Sequence, residues 1–120
     1  VLQADGGTRT ASITGGCVAL ADACRWVAER NGGIDPFSAL VAAVSVGVID
    51  GEPRLDLMYL EDKDAGVDSN VVMVHPDRFV EVQGTGEHAT FDRGELDRLL
   101  DLAAGGIRQL FDAQRKILGR

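Results

Sequence analysis

The chain has 120 residues, 45% of them hydrophobic, and its 19 acidic and 12 basic residues give a formal net charge of −7. This length fits a single domain with one core, and no apolar run approaches the roughly 20 residues that a membrane-spanning helix needs, so no membrane partner is expected. The acidic balance argues against a nucleic-acid-binding surface spread over the whole chain, and two cysteines without secretory context favour a reducing, cytoplasmic setting.

A short glycine-rich loop, Asp5-Gly6-Gly7-Thr8-Arg9-Thr10, follows an extended-looking segment, residues 1–4, and leads into a predicted helix. The glycines let the backbone turn tightly and approach a ligand. The threonines add hydroxyl groups, Arg9 adds a guanidinium, and the first turn of a helix presents free N–H groups. Together these groups favour a small oxyanion site. The alternative is a plain strand-to-helix turn in which Thr10 is the N-cap.

Residues 11–30 are predicted to form an amphipathic helix that ends at Asn31-Gly32-Gly33. Its expected apolar stripe consists of Ile13, Cys17, Leu20, Cys24 and Val27. The pair Gly15-Gly16 lies inside this helix and destabilises it by about 1 kcal/mol per glycine relative to alanine. That cost predicts a neighbouring element packed closely against the pair. The two cysteines are about 10 Å apart along the helix axis and are therefore not expected to form a disulfide.

Four mostly antiparallel strands are predicted after this helix. They are residues 40–49, a return strand through Leu55, Leu57 and Tyr59, residues 70–74 and residues 78–83. Asp50-Gly51 is typical of a two-residue hairpin between the first two strands, and His75-Pro76-Asp77 is a turn signal between the last two. Gly84-Thr85-Gly86 is expected to end the strand pattern.

The last predicted helix begins with a capping box, Asp92 with Glu95, flanked by Phe91 and Leu96 at staple positions. An apolar stripe continues from there to about Leu118. The layout of helix, four strands and helix predicts an α/β (α+β) fold in a single domain over residues 1–120, with two long helices packed on one sheet.

A cluster of acidic residues follows the second predicted strand. Its members are Glu61, Asp62, Asp64 and Asp68. Grouped carboxylates repel one another unless a cation lies between them, and Mg²⁺ favours one or two carboxylates together with water and phosphate oxygens. The alternative is a solvated acidic turn.

Three stretches of the chain, residues 1–15, 57–70 and 80–87, resemble ribonuclease PH. Members of that family are phosphorolytic exoribonucleases that act from the 3′ end, mainly on tRNA precursors. The resemblance implies a fold like domain 2 of ribosomal protein S5. It also implies that the chain corresponds to the C-terminal half of the family, so we expect a fragment or a sequence that omits an N-terminal half.

The resemblance further implies roles for individual residues. Gly7, Thr8 and Arg9 would bind inorganic phosphate, the co-substrate, and Arg9 would also act in catalysis. Asp62 and Asp68 would bind Mg²⁺ and take part in catalysis. The expected partners are tRNA precursors and other RNA 3′ ends, and the expected assembly is a homohexameric ring built as a trimer of dimers.

Two alternatives come from other functional classes. One is a non-catalytic subunit of an exosome-like ring, which only shapes an RNA channel, and the other is a generic anion-binding domain that uses the Gly-Thr-Arg loop. Ring subunits of the first kind typically lack the phosphate loop or the aspartates, and this chain has both. The enzyme is therefore the favoured interpretation.

Overall fold

The structure, a computed structural model, describes residues 1–120 apart from the side chain of Asp62. Its elements are α1 (Thr8–Arg30), β1 (Val41–Ile49), β2 (Glu52–Leu55), α2 (Tyr59–Asp64), β3 (Val67–Val74), β4 (Arg78–Gly86) and α3 (Arg93–Leu118). The predicted layout of two long helices around four strands is confirmed, with the short helix α2 added. Among the described residues, no helix is both long enough and apolar enough to cross a membrane.

The four strands form one antiparallel sheet in the order β2-β1-β3-β4. The hairpin between β1 and β2 is confirmed, because Ile49 pairs directly with Glu52 across Asp50 and Gly51. Both central residues have positive φ, 52° for Asp50 and 77° for Gly51. A two-residue turn of type I′ requires this, and its twist matches that of the flanking strands.

Strand β2 is shorter than predicted and ends at Leu55 rather than Tyr59. Asp56 has a φ of 61°, so the backbone leaves the extended conformation directly after Leu55. The next two backbone N–H groups bond to Ser45 on β1, Asp56 N to Ser45 O at 2.8 Å and Leu57 N to Ser45 Oγ at 3.2 Å. The chain is thereby held beside β1 and continues into α2 instead of extending the hairpin.

Side chains of both long helices bond the part of the β1 edge that β2 does not cover. Thr14 Oγ1 accepts a hydrogen bond from Ala43 N at 3.1 Å and donates to Ala43 O at 3.3 Å. Cys17 Sγ accepts from Val41 N at 3.2 Å, and Gln114 Nε2 donates to Val41 O at 2.9 Å. Since buried backbone groups need partners, these bonds anchor α1 and α3 to the sheet.

Helix α3 carries the stripe that its sequence predicts. The capping box is present, with Glu95 N donating to Asp92 Oδ1 at 2.8 Å. The apolar side chains of α3 pack on the buried face of β1 and β3 in a cluster that includes Leu99, Ala103, Ile107, Phe111, Ala42, Val44, Val46 and Val71. Gly106 permits close contact with β2, because a Cβ there would lie 2.7 Å from Leu55 Cδ2.

Helix α1 differs from its prediction in start and in orientation. It begins at Thr8 rather than residue 11, and it ends at Arg30 with Asn31 as the C-cap, as expected. Its buried residues are Thr10, Cys17, Ala21 and Ala28. Two residues of the predicted stripe are exposed, Leu20 at 59% and Val27 at 37%. The face that packs on the sheet is the one with small side chains, which lets the helix lie close to β1.

The packing prediction for Gly15 and Gly16 is wrong within the described chain, because a Cβ at either position would meet no atom within 4 Å. Cys17 and Cys24 are both free, as expected.

Two strand boundaries also differ from the sequence prediction, and the extended-looking segment, residues 1–4, forms no strand. Strand β3 begins at Val67, so Asp68 lies on a strand rather than in a turn. Strand β4 continues through residues 84–86, where Gly84 pairs with Ser69 and Thr85 with Asp68. Glycine does not interrupt the strand here because the ladder to β3 is made by backbone groups.

Candidate active site

The glycine-rich loop is fixed against the segment that follows β2. Gly6 has a φ of 72°, and a Cβ there would lie 2.6 Å from Leu57 O and 2.9 Å from Tyr59 N. Only glycine allows both this conformation and this approach of two backbones. Asp5 Oδ1 also accepts a hydrogen bond from Tyr59 N at 3.1 Å. The loop therefore has a defined position relative to the rest of the chain.

Helix α1 starts directly after the loop. Its N-cap is Gly7, with a φ of 59°, and no side chain caps it. Thr10 is the third residue of the helix, and its hydroxyl donates to Gly7 O at 2.9 Å. The interpretation of Thr10 as the N-cap is therefore wrong. An N-terminus without a side-chain cap leaves its first N–H groups available to an anion.

One face of the sheet lies next to this helix terminus. Opposite residues of antiparallel strands share a face, so Ser45, Asn70 and Gln83 form one row of side chains and Gly47, Asp68 and Thr85 form the next. The absence of a side chain at Gly47 leaves space for the buried side chain of Leu57, since a Cβ there would lie 2.6 Å from Leu57 Cδ1.

The loop and this sheet face line an open cavity of about 520 Å³. Its lining residues are Ala4, Gly6, Gly7, Thr8, Arg9, Thr10, Ser45, Tyr59, Asp68 and Asn70. The cavity thus brings together four of the five predicted site residues, Gly7, Thr8, Arg9 and Asp68. The fifth, Asp62, belongs to α2, and its side chain lies outside the described residues.

Arg9 forms an ion pair that the sequence does not indicate. Its Nη2 atom donates to Glu81 Oε2 on β4 at 2.8 Å, and the two side chains are 51% and 38% exposed. The two residues are 72 positions apart. Contact between them depends on the sheet order, so no local pattern could have predicted it.

The predicted acidic cluster is divided between two elements. Glu61 lies on α2 and is paired with Arg54 at 3.0 Å, whereas Asp68 lies on β3 and lines the cavity. Within the part of the chain that the structure describes, no group of three or more His, Cys, Asp or Glu side chains could hold a metal ion. Mg²⁺ needs fewer protein ligands than that, because one or two carboxylates with water and phosphate oxygens suffice. The Asp68 carboxylate, which lines the cavity, is a ligand of this type.

Three residues at the site, Ser45, Tyr59 and Glu81, are not indicated as site residues by the sequence. Ser45 alternates with the small residues Ala43 and Gly47 on one face of β1, and this pattern is the local signal for it. Tyr59 was assigned to the return strand, and in the structure it is the first residue of α2 and lies on the cavity wall.

The family model described as the 3′ exoribonuclease family, domain 2, matches residues 39–106. The chain belongs to this family. Its matched part includes β1 to β4 and therefore Asp68, while the loop lies before it.

Curated relatives extend the likeness to nearly the whole chain. Ribonuclease PH from Corynebacterium diphtheriae is 62% identical over 120 residues, which are 98% of this chain and 49% of that protein. Ribonuclease PH from Corynebacterium efficiens is 59% identical over 121 residues, 99% of this chain and 49% of that protein. The chain spans about half the length of these relatives, and the predicted resemblance to ribonuclease PH is confirmed.

Two solved structures share the fold at low sequence identity. Rrp46 from rice superposes with a TM-score of 0.77 at 19% identity, over 100% of this chain and 52% of that one. A chain of the Archaeoglobus fulgidus exosome with RNA bound to the active site gives a TM-score of 0.57 at 21% identity, over 72% of this chain and 35% of that one. The predicted fold, like domain 2 of ribosomal protein S5, is confirmed.

Proposed function

We propose that the chain supplies the phosphate-binding part of a phosphorolytic 3′–5′ exoribonuclease that trims the 3′ ends of tRNA precursors. The observation that carries this proposal is that residues of the loop, including Arg9, line the same cavity of about 520 Å³ as Asp68. The relatives that are about 60% identical are named ribonuclease PH, which supports the same reaction.

In this reaction an oxygen of inorganic phosphate forms a bond to the phosphorus of the last phosphodiester, and the bond to the 3′ oxygen breaks. The released product is a nucleoside diphosphate, and the RNA is one nucleotide shorter. Such a transfer depends mostly on positioning and on charge stabilisation. Because two anions must meet, the protein has to supply positive charge next to both of them.

The described residues suit the attacking phosphate. The uncapped N-terminus of α1 offers N–H groups and the positive end of the helix dipole. The Thr8 hydroxyl offers a further donor, and the Arg9 guanidinium has five N–H donors, of which the ion pair with Glu81 uses one. Gly7 lets the phosphate approach the backbone.

Asp68 lines the same cavity, and we assign it a role next to the scissile phosphate. With Asp62 as the second candidate, it would hold Mg²⁺, which supplies charge neutralisation next to phosphate oxygens. Alternatively, one of these two groups would be a protonated carboxyl group rather than a metal ligand and would give its proton to the leaving 3′ oxygen.

The direct test is Arg9→Ala in the full-length protein. We expect phosphate-dependent release of nucleoside diphosphate from RNA to be lost, because the charged donor to phosphate is removed. Arg30→Ala is the matched control, since Arg30 lies at the opposite end of the same helix and contacts Glu29 and Trp26. Full activity of Arg9→Ala would remove the loop from the mechanism.

We also propose that the protein acts in the cytoplasm as a homohexameric ring, a trimer of dimers. Exposed apolar side chains on α1, namely Leu20, Trp26 and Val27, support subunit packing. The mass of the full-length protein in solution checks this, and a monomer would contradict it.

A further inference from the structure

The Arg9–Glu81 ion pair extends across the sheet. Glu81 pairs with Val72 on β3, and Val72 pairs with Ala43 on β1, so the three residues form one row on the cavity side. Helix α1 is anchored at the β1 end of this row through Thr14 and Ala43. Neighbouring strands are about 4.8 Å apart, so Glu81 lies roughly 10 Å across the sheet from Ala43. The ion pair therefore links the first turn of α1 to the edge strand β4.

We propose that Glu81 is a positioning residue that holds the Arg9 guanidinium in the cavity wall, ready for inorganic phosphate. This inference rests on the proposed function in placing phosphate at the loop. It assigns to the site a residue from the edge strand β4, which is otherwise outside the cavity.

Two observations favour positioning over competition between the carboxylate and phosphate. Arg9 lines the cavity while its bond to Glu81 is in place, and Glu81 itself does not line the cavity. The guanidinium thus reaches the cavity with the ion pair formed, while the carboxylate is not among the groups that line it. In addition, a single hydrogen bond from Nη2 leaves four of the five N–H donors of arginine for another anion.

The benefit to phosphate binding comes from the restricted motion of Arg9. An arginine side chain has many rotamers, and fixing one of them before the ligand arrives removes an entropic cost from binding. The ion pair is half exposed and therefore screened by water, which limits the effect. We expect a change of about three- to tenfold in phosphate affinity when the pair is removed.

The test uses Glu81→Ala and Glu81→Gln in the full-length protein, with inorganic phosphate as the probe in calorimetry. Glu81→Ala should raise the dissociation constant of phosphate about three- to tenfold, by the same reasoning on side-chain entropy. Glu81→Gln keeps an oxygen that can accept a hydrogen bond from Arg9 and loses only the charge. Its dissociation constant for phosphate should therefore lie between those of wild type and Glu81→Ala. Glu29→Ala is the matched control, because it removes one carboxylate from the far end of α1.

Steady-state kinetics separate positioning from a general structural effect. The KM for phosphate should rise in Glu81→Ala, while the KM for RNA stays at the wild-type value. The inference is overturned if Glu81→Ala binds phosphate as tightly as wild type or more tightly. It is also overturned if wild type binds no phosphate, or if both KM values rise by the same factor. A third outcome is that wild type binds phosphate, Glu81→Ala binds it more weakly, and wild type releases no nucleoside diphosphate. In that case the proposed function fails and the role of Glu81 stands.

Discussion

Replacement of Gly6 by alanine should destabilise the protein and displace the phosphate loop. Gly6 has a φ of 72°, a conformation that costs a residue with a Cβ about 1–2 kcal/mol. The added Cβ would also lie 2.6 Å from Leu57 O and 2.9 Å from Tyr59 N, both of them backbone atoms. Forced repacking of this kind costs a further 1–3 kcal/mol or so. We therefore expect Gly6→Ala to lower the free energy of unfolding by about 2–5 kcal/mol.

Two other glycines separate the conformational cost from the clash. Gly32 has a φ of 85° and would place its Cβ in open space, so Gly32→Ala should show only the conformational cost of about 1–2 kcal/mol. Gly15 lies inside α1 with no atom near its Cβ position, and Gly15→Ala should stabilise the helix by about 1 kcal/mol.

Denaturant unfolding of the full-length variants measures these changes, and phosphate titration reports the state of the loop. Gly6→Ala should also weaken phosphate binding, whereas Gly32→Ala should leave it unchanged. Equal destabilisation by Gly6→Ala and Gly32→Ala would refute the argument that the loop is held against residues 57–59.

Three further predictions concern other parts of the chain. Asp68→Asn should reduce diphosphate release about 100-fold or more with unchanged phosphate binding, because it removes the carboxylate charge, and activity assays with Asp64→Asn as control check this. Gln114→Leu should lower the free energy of unfolding by about 1–3 kcal/mol in denaturant experiments, since buried Gln114 donates to the carbonyl oxygens of Thr14 and Val41. The Phe37 backbone N–H and then Arg120 hold the pKa of Asp35 below its ordinary value. Asp35 therefore stabilises the fold above about pH 4 and loses this effect as the pH falls through its lowered pKa. The stability difference between wild type and Asp35→Asn should be present at pH 7 and vanish in acid, and a difference independent of pH would contradict the assignment.

The features that could be predicted from the sequence are those that local chemistry determines. Asp50-Gly51 favours one turn type whatever its surroundings, and the capping box of Asp92 and Glu95 supplies its own hydrogen bonds. Each was found where it was predicted. The glycine-rich loop belongs to the same class, because Gly6 and Gly7 adopt positive φ and lead directly into a helix.

The orientation of α1 could not be predicted in this way. Its sequence offers a stripe of larger apolar residues and a stripe of smaller ones, and periodicity favours the larger. The structure buries Cys17 of the predicted stripe, but it buries Ala21 and Ala28 in place of Leu20 and Val27, because Thr14 and Cys17 bond the free edge of β1. β2 leaves that part of the edge uncovered because it ends at Leu55, where Asp56 adopts a left-handed conformation.

The candidate site depends both on local sequence patterns and on contacts between residues distant in sequence. Gly7, Thr8 and Arg9 were found from a contiguous pattern, and Asp68 from a resemblance. Their meeting in one cavity depends on the pairing of β3 with β1, and the partner of Arg9 depends on β4 at the opposite edge. Such contacts between residues distant in sequence leave no local signal.

The central claim is phosphorolysis, and its most direct test is product analysis with the full-length protein. A tRNA with extra 3′ nucleotides would be incubated in Mg²⁺ with and without inorganic phosphate, and the released nucleotides separated. We predict nucleoside diphosphates only when phosphate is present. Monophosphates released without phosphate would indicate a hydrolytic nuclease and contradict the mechanism, and no release in either condition would favour a structural subunit of an RNA-binding ring.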